Sequence, residues 1–342
     1  MNPRALCFLV LTALCAASVA HGQSSSPGSL PNSGVDSSSN SQLLTKIPPE
    51  EILVKGAWSS ATDSVTPVPE DGNVAKGVFT DPYFGITYAL PPNWIQEYEG
   101  PPPSESGLYV LAQIGPPDNP EGPLAASMLI TAQDMFFTSL PLANAFELTH
   151  YIKDHLQADY QVEIQPTQTN VAGGSFTFFA YWSPVAQLHW YVLATDIRCH
   201  ALQIILTSRD TKLLRSLMLG LNRMKLRAEA GPASGAAGRE VPLCIKDYVH
   251  DENMLARQEP VFTGHRFNSV PVRIIIDKQG RVRHVHFISA FPDQAKAIAD
   301  AVLQWKFKPY LKDGQPVEIE TGISFGPTPH ANSLFPASAP VK

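Results

Sequence analysis

A regular alternation near the carboxyl end constrains the fold more than any other feature of the sequence. Apolar residues occupy every second position from Val270 to Ile276, which predicts a strand with one buried face. Residues 277–280 (Asp-Lys-Gln-Gly) have turn composition, and the chain returns as a second strand over 281–289. Two valines of the returning strand are separated by an odd spacing of three, so we predict a β-bulge near Arg283.

A helix and a further strand complete this region. Asp293 is a candidate N-cap, and an apolar stripe at helical spacing follows it as far as about Trp305. Residues 317–325 then alternate again and indicate a last strand. The order strand, strand, helix, strand predicts a small ββαβ domain at 241–326, the second of two small domains in a protein of the α+β class.

The second domain resembles the TonB C-terminal family. The segments VPVRIIIDKQGRV and AIADAVLQWKFKPYLKDGQPVEIETGISF are similar to that family's hairpin, its W-x-F-x-P exit from the helix and its D/N-G-x-P-V turn. The family's Y-P-x-x-A start is not evident before Val270, and the long Pro-Lys/Pro-Glu spacer of an energy transducer is absent. The resemblance therefore implies the fold of this domain.

By the same resemblance, the last strand is expected to bind an extended segment of a protein partner. A three-stranded sheet leaves an edge with unpaired N–H and C=O groups, to which a partner strand can add. The residues concerned are Val317, Glu318, Ile319, Glu320, Thr321, Ile323 and Phe325. In the alternative interpretation, Glu318 and Glu320 only protect an exposed edge against aggregation.

The region 77–228 predicts a different domain, an antiparallel sheet with packed helices. Strand-like segments surround two amphipathic helices, at about 142–157 and 211–224. The opening FGITYALPPNW is similar to the start of the PsbP-like family of exported domains. That resemblance implies a binding or assembly module and supplies no catalytic residues.

The remaining segments suggest export and flexible connections. Residues 1–22 combine Arg4, an apolar run and a small-residue cleavage site, which is the layout of a secretory signal peptide. We expect a periplasmic or secreted protein, and an uncleaved anchor in the inner membrane is the alternative. Residues 23–76 are rich in Ser and Pro and predict a disordered linker. A second linker is expected at 229–240 and a flexible tail at 327–342.

Two cysteines remain once the predicted signal peptide is set aside. Cys199 and Cys244 fall in different predicted domains. An oxidising compartment permits a disulfide that joins the domains, and two free thiols are the alternative. Both interpretations remain open at this point.

Composition and motifs favour binding over catalysis. The net charge is −6 and no Lys/Arg cluster is present, which argues against a nucleic-acid partner. No catalytic, zinc-protease or phosphate-loop motif occurs. His284 and His286 share a strand face and, with His265, are the best metal candidates, but an exposed strand face is the favoured interpretation. We therefore expect no metal and no cofactor.

These observations predict a non-enzymatic, exported envelope protein. We expect it to act as a scaffold that binds a protein partner, such as an outer-membrane or other envelope protein, with a link to outer-membrane transport. A membrane contact is expected only through an uncleaved amino-terminal anchor. The alternative function is that of a periplasmic protein that binds a small ligand on the PsbP-like domain.

Overall fold

The computed structural model describes residues 54–55, 66–98, 103–104, 106–117, 125–226, 241–262 and 268–326. The predicted signal peptide, most of the first linker, the second linker, the tail and His265 lie outside these residues. Within the described part of the chain, no helix is both long and apolar enough to cross a bilayer.

Most of the described strands lie in the first domain and the segment before it. They are β1 (Val54–Lys55), β2 (Asn73–Ala75), β3 (Val78–Asp81), β4 (Ile86–Ala89), β5 (Ile95–Tyr98), β6 (Leu108–Gly115), β7 (Ala126–Asp134), β8 (Gln161–Val171), β9 (Gly174–Ser183), β10 (Leu188–Ile197) and β11 (His200–Ser208). Helix α1 spans Ala145–Asp154 and helix α2 spans Thr211–Leu221.

The second domain is shorter. Its strands are β12 (Leu243–Cys244), β13 (Met254–Ala256), β14 (Val270–Ile276), β15 (Val282–Phe287), β16 (Ser289–Ala290), β17 (Lys306–Phe307), β18 (Leu311–Lys312), β19 (Gln315–Pro316) and β20 (Ile319–Phe325). Helix α3 spans Pro292–Val302. Few helices and several antiparallel sheets confirm the predicted α+β class.

The first domain is a seven-stranded antiparallel sheet with one helix on each face. Its strand order is β5-β6-β7-β11-β10-β9-β8. Helix α1 packs Leu148 against β10 and β11, and helix α2 buries Leu214, Leu217 and Leu221 in the main core beside β3 and β4. Each helix begins at a side-chain cap, because Asn144 accepts the Glu147 N–H at 2.9 Å and Asp210 accepts the Lys212 N–H at 2.8 Å.

The segment before the first domain is partly ordered, which corrects the predicted linker at 23–76. Residues 69–71 form a single turn of 3-10 helix, and β2 pairs with β3. Strand β1 pairs with β16 of the second domain. Composition did not reveal this order, because the segment folds against the two domains and does not need a core of its own.

The second domain has the predicted ββαβ order with one additional strand. Its sheet has the order β12-β20-β14-β15, so β20 lies between β12 and β14. The predicted three-stranded sheet with an open last strand is therefore wrong. The predicted β-bulge is confirmed, because Ile275 pairs with His284 whereas Ile276 pairs with Val282, which leaves Arg283 unpaired in the ladder.

Helix α3 begins two residues earlier than a cap at Asp293 would place it. Phe291 is the N-cap, Pro292 is the first helical residue and Asp293 lies in the first turn, so the predicted cap at Asp293 is wrong. Pro suits this position because its missing N–H has no partner within the helix. The Phe291 N–H is satisfied by Gln294 Oε1 at 3.2 Å. Trp305 and Phe307, which follow the helix, are buried in the core.

The hairpin turn between β14 and β15 requires glycine for two reasons. Gly280 has a φ of +79°, and a Cβ placed on it would lie 2.0 Å from the carbonyl oxygen of Phe307. The Gly280 carbonyl oxygen accepts the Phe307 N–H at 2.7 Å, so the two backbones are held together. The turn thereby fixes the exit of α3 against the hairpin.

Replacing Gly280 with Ala should lower the free energy of unfolding by ~3 kcal/mol, because backbone strain and a backbone clash add. Gly314→Ala is the matched control: its φ is +76°, but a Cβ there meets nothing within 4 Å. For the control we expect the free energy of unfolding, measured in urea, to fall by about 1 kcal/mol. Equal losses for the two variants would show that the close approach to Phe307 has no energetic weight.

Candidate functional site at the interface of the two domains

The second sheet has two buried faces. One face packs on helix α3, and the other packs on the first domain. Register places Arg273, His286 and Gly322 side by side on this second face, with Ile275 and Glu320 next to them. Every residue of β14 is buried as a result, including its arginine.

Arg273 is the centre of this interface. Its Nη1 donates to Asp134 Oδ2 of the first domain at 2.6 Å, and its Nε donates to Glu320 Oε1 at 3.0 Å. The guanidinium carbon also lies 4.5 Å from the ring centroid of Phe136. Arg273 therefore links the last strand of one domain to the end of β7 in the other.

Arg198 makes the second link across the interface. It lies in the β10–β11 turn, and its Nη2 donates to Glu320 Oε2 at 2.8 Å. Its guanidinium carbon stacks 3.6 Å from the ring centroid of Tyr83, whose hydroxyl donates to Glu320 Oε1 at 3.0 Å. Glu320 thus accepts from Arg273, Arg198 and Tyr83.

The four charged groups balance. Two guanidinium groups face two carboxylates, and all four side chains are less than 10% exposed. Removing charges from water is costly, and the cost is recovered only when partners are close and hydrogen bonds are satisfied. The network meets both conditions for Arg273 and Glu320. The network makes the two domains depend on each other. In each domain alone, these charged side chains would be exposed to solvent or buried without a partner.

The pKa of Glu320 shows the strength of this environment. Burial alone favours the neutral acid, but the attraction of Arg273 and Arg198 outweighs burial and holds the pKa of Glu320 well below its ordinary range. For Arg273, burial favours loss of the proton, whereas Asp134 and Glu320 oppose it and raise the pKa of this guanidinium group. Both groups are therefore charged at neutral pH.

His200 is a neutral member of the cluster. Burial lowers its pKa from 6.5 to about 4, and this effect outweighs the attraction of Asp134. Its Nδ1–H donates to the carbonyl of Arg198 at 2.7 Å. The approach of Nε2 to Asp134 Oδ2 at 3.6 Å is too long for a hydrogen bond and, at neutral pH, is not an ion pair.

The tip of the β10–β11 hairpin carries two contacts at once. Ile197 pairs with His200, so Arg198 and Cys199 are the two turn residues, with φ values of 49° and 55°. This left-handed geometry normally selects Asn and Gly, and it costs other residues ~1–2 kcal/mol each. Here the turn is held from outside, because Arg198 binds Glu320 and Cys199 forms a disulfide with Cys244, whose Cα lies 5.8 Å away.

The predicted partner-binding residues do not form an exposed surface of side chains. Ile319, Glu320, Thr321 and Phe325 are buried. The other three are partly buried: Val317 and Glu318 precede β20, and Ile323 lies within it. Glu320 does not guard an edge, because it belongs to the buried charge network. Glu318 pairs with Arg283 at 3.0 Å.

The backbone edge of β20 is partly covered. Strand β12 pairs with it in parallel at Ile319 and Glu320. The carbonyl oxygens of Glu318 and Glu320 accept from the N–H groups of Leu243 and Ile245 at 2.8 and 3.0 Å. Since backbone groups alternate along a strand, Gly322 and Ser324 point their N–H and C=O groups toward the same side. No pairing with β12 extends to these two residues within the described part of the chain.

The predicted exposure of His284 and His286 is wrong. Both are buried, because their strand face packs on the first domain. His286 Nε2 lies 3.3 Å from Glu70 Oε2, a residue that precedes the first domain. Among the described residues, no group of three or more His, Cys, Asp or Glu residues is arranged to hold a metal ion.

Sequence reasoning missed the first-domain half of the site. Tyr83, Asp134 and the pair Arg198 and His200 carry no motif and come from three distant parts of the chain. The available signal was in the second domain, where Arg273 interrupts an apolar strand. A charge at a buried strand position needs a partner, and that rule would have indicated a docking face.

We expect Arg273→Met to lower the free energy of unfolding by ~3–5 kcal/mol, because Asp134 and Glu320 would remain buried without their shared cation. Arg281→Met is the matched control, since Arg281 pairs with Asp277 in an exposed i,i+4 contact. The Arg281→Met variant should lose less than about 1 kcal/mol of unfolding free energy in the same chemical unfolding assay. A small loss for Arg273→Met would contradict a structural role for the network.

The lowered pKa of His200 predicts that the free energy of unfolding falls in acid. Its folded pKa of about 4 lies below the ordinary 6.5, so the stability that neutral His200 contributes is present above about pH 6.5 and is lost as the pH falls toward 4. Between pH 7 and pH 5, His200→Gln should remove up to ~2 kcal/mol of the pH dependence of unfolding. The half-buried His189, changed to Gln, serves as the control. An unchanged slope for His200→Gln would refute the assignment.

Comparison with known proteins finds a family match within the second domain. Residues 267–327 match the family described as the Gram-negative bacterial TonB protein C-terminal, which confirms the predicted resemblance. A search of curated proteins finds no match to this chain. The solution structure of cyanobacterial PsbP (CyanoP) from Synechocystis sp. PCC 6803 is similar, with 15% identity over 46% of this chain and 96% of that chain. Its TM-score of 0.33 carries no argument beyond this likeness. Residues 267–327 are thus the part of the chain that resembles the TonB C-terminal domain.

Proposed function

We propose that this protein is an exported envelope protein that binds an extended segment of a protein partner along the outer edge of β20. The match of residues 267–327 to the TonB C-terminal family supports an envelope role. The observation that carries the proposal is the edge itself, where β12 pairs with Ile319 and Glu320 but not with Gly322 or Ser324. Among the described residues, no further backbone hydrogen bond reaches the outward groups of Gly322 and Ser324, which leaves them for a partner strand.

The burial of both faces of the second sheet supports the edge as the binding surface. One face is covered by helix α3 and the other by the first domain, so neither offers a broad surface to a partner. Ser324 is exposed, while its neighbour Phe325 is anchored in the core. A partner strand would thus gain main-chain hydrogen bonds from a rigid edge. The first domain acts in this proposal as the scaffold that holds the sheet.

We propose binding in preference to catalysis. The titratable side chains that meet at the interface, Tyr83, Asp134, Arg198, His200, Arg273 and Glu320, are all buried. They bind one another across the two domains, and a general acid or base must lie within hydrogen-bond reach of a substrate. This arrangement supports a structural role for the cluster.

The proposal can be tested with a photo-cross-linking amino acid at Ser324 of the full chain in a Gram-negative host. We expect a covalent adduct with one envelope protein. The same amino acid at Val185, an exposed residue of the first domain, is the position control and should give no such adduct.

A second step tests the backbone contact with the identified partner. Ser324→Pro removes the outward N–H, whereas Ser324→Ala keeps it. We expect the proline variant to weaken Kd by about tenfold, the value of one hydrogen bond, and the alanine variant to bind as the parent does. Equal affinities of the two variants, or equal adducts at Ser324 and Val185, would contradict strand addition at this edge.

A small-ligand function is the second candidate, and one cleft favours it. A cleft of about 500 Å³ lies between the first turn of α1 and the β8–β9 hairpin, with Phe146 and Leu226 among its apolar lining and Gln168, Thr177 and Asp196 among its polar lining. Its volume falls within the range of ligand sites. A small molecule retained by the native protein in mass spectrometry would favour this function over partner binding.

A further inference from the structure

The segment that covers β20 is tied to the other domain at one point. Residues 241–246, here called the strap, contain β12 and lie along the start of the β20 edge. Two hydrogen bonds, from Leu243 N–H and Ile245 N–H, hold the strap to β20. The disulfide between Cys244 and Cys199 ties it to the β10–β11 turn of the first domain.

The chain beyond the strap is anchored independently. Tyr248 is buried in the second core, and its hydroxyl donates to the carbonyl of Lys308 at 2.7 Å. Between the strap and this anchor, Asp247 is exposed and has a φ of 58°. Leu243 and Ile245 of the strap are partly buried against the same core, so a change in the strap would withdraw these two side chains and end at Asp247.

The disulfide is the covalent tie on the strap, beside two backbone hydrogen bonds and the partly buried side chains of Leu243 and Ile245. Two backbone hydrogen bonds to a two-residue strand are a weak ladder, because short ladders do not offset the entropy of ordering the chain. A covalent bond to the neighbouring domain removes most of that entropy from the free strap. The left-handed turn at Arg198 and Cys199 is also held by this bond.

We propose that the strap is a redox-latched cover over the β20 edge, and that a dithiol opens it by reducing the Cys199–Cys244 disulfide. Release would free the outward backbone groups of Glu318 and Glu320, so that the edge open to an extended polypeptide would run from Glu318 to Ser324. The identity of the bound molecule as an extended polypeptide rests on the function proposed above. The redox latch itself rests only on the disulfide and the strap.

The chemistry of opening is ordinary thiol–disulfide exchange. A thiolate of the dithiol attacks one sulfur, the Cys199–Cys244 bond breaks, and a mixed disulfide forms. The second thiol of the dithiol then displaces the cysteine and closes its own disulfide. Two electrons and two protons pass to the protein, which leaves two thiols, and the dithiol is oxidised. Cys199 and Cys244 are both only half-buried, so an attacking thiolate has access.

Amide hydrogen exchange of the full chain tests the latch without any partner. We compare the oxidised protein with the dithiothreitol-reduced protein and with the Cys199→Ser/Cys244→Ser variant, which cannot form the bond. The amides of Leu243 and Ile245 should lose ~10-fold or more of their protection, while those of Ile274 and Thr321, which pair within the sheet, should keep theirs.

Two results would overturn the latch. Unchanged protection at Leu243 and Ile245 would show that the disulfide does not hold the strap. Simultaneous loss at Ile274 would show that the strap is part of the domain's core. Because no partner is needed, this test can succeed when cross-linking at Ser324 fails, and the reverse also holds. With cross-linking established, the double serine variant should form more Ser324 adduct than the oxidised parent, and equal yields would contradict a covering role.

Discussion

The charge-balanced network around Arg273 is the constraint on which the rest of the structure depends. A guanidinium group buried between Asp134 and Glu320 is stable only while both domains are in contact. That single requirement explains why β14 is buried on both faces. It also explains why Gly322 stands opposite Phe136, where a Cβ would lie 2.9 Å from the Phe136 Cβ and hold the sheet away.

The contact between the two domains limits what the β20 edge, to which we assign the binding role, can offer a partner. With the helix on one face and the first domain on the other, β20 can offer a partner only its backbone. The segment that leads into the second domain already takes two residues of that edge, and its cysteine bonds to the tip of the β10–β11 hairpin. The same tip supplies Arg198 to Glu320. Domain docking and edge covering are thus controlled from one turn.

Local elements were predictable because their signals are local. The period of two from Val270 to Ile276, the odd valine spacing that produces the bulge at Arg283 and the turn before Arg281 are each encoded by neighbouring residues. The pairing of β20 with β12 was not predictable from local signals. Strand β12 begins at Leu243, 76 positions before β20 begins at Ile319. His284 and His286 were misplaced for the same reason. Alternation shows which residues share a face, and it does not show what covers that face.

The buried network predicts that the two domains form one rigid body. Amide residual dipolar couplings measure it directly, because they report the orientation of each domain relative to a common frame. Couplings from residues 126–221 and from residues 270–325 should fit a single alignment tensor. Two tensors of different orientation or magnitude would show that the domains move independently, and the buried network would then not hold them together.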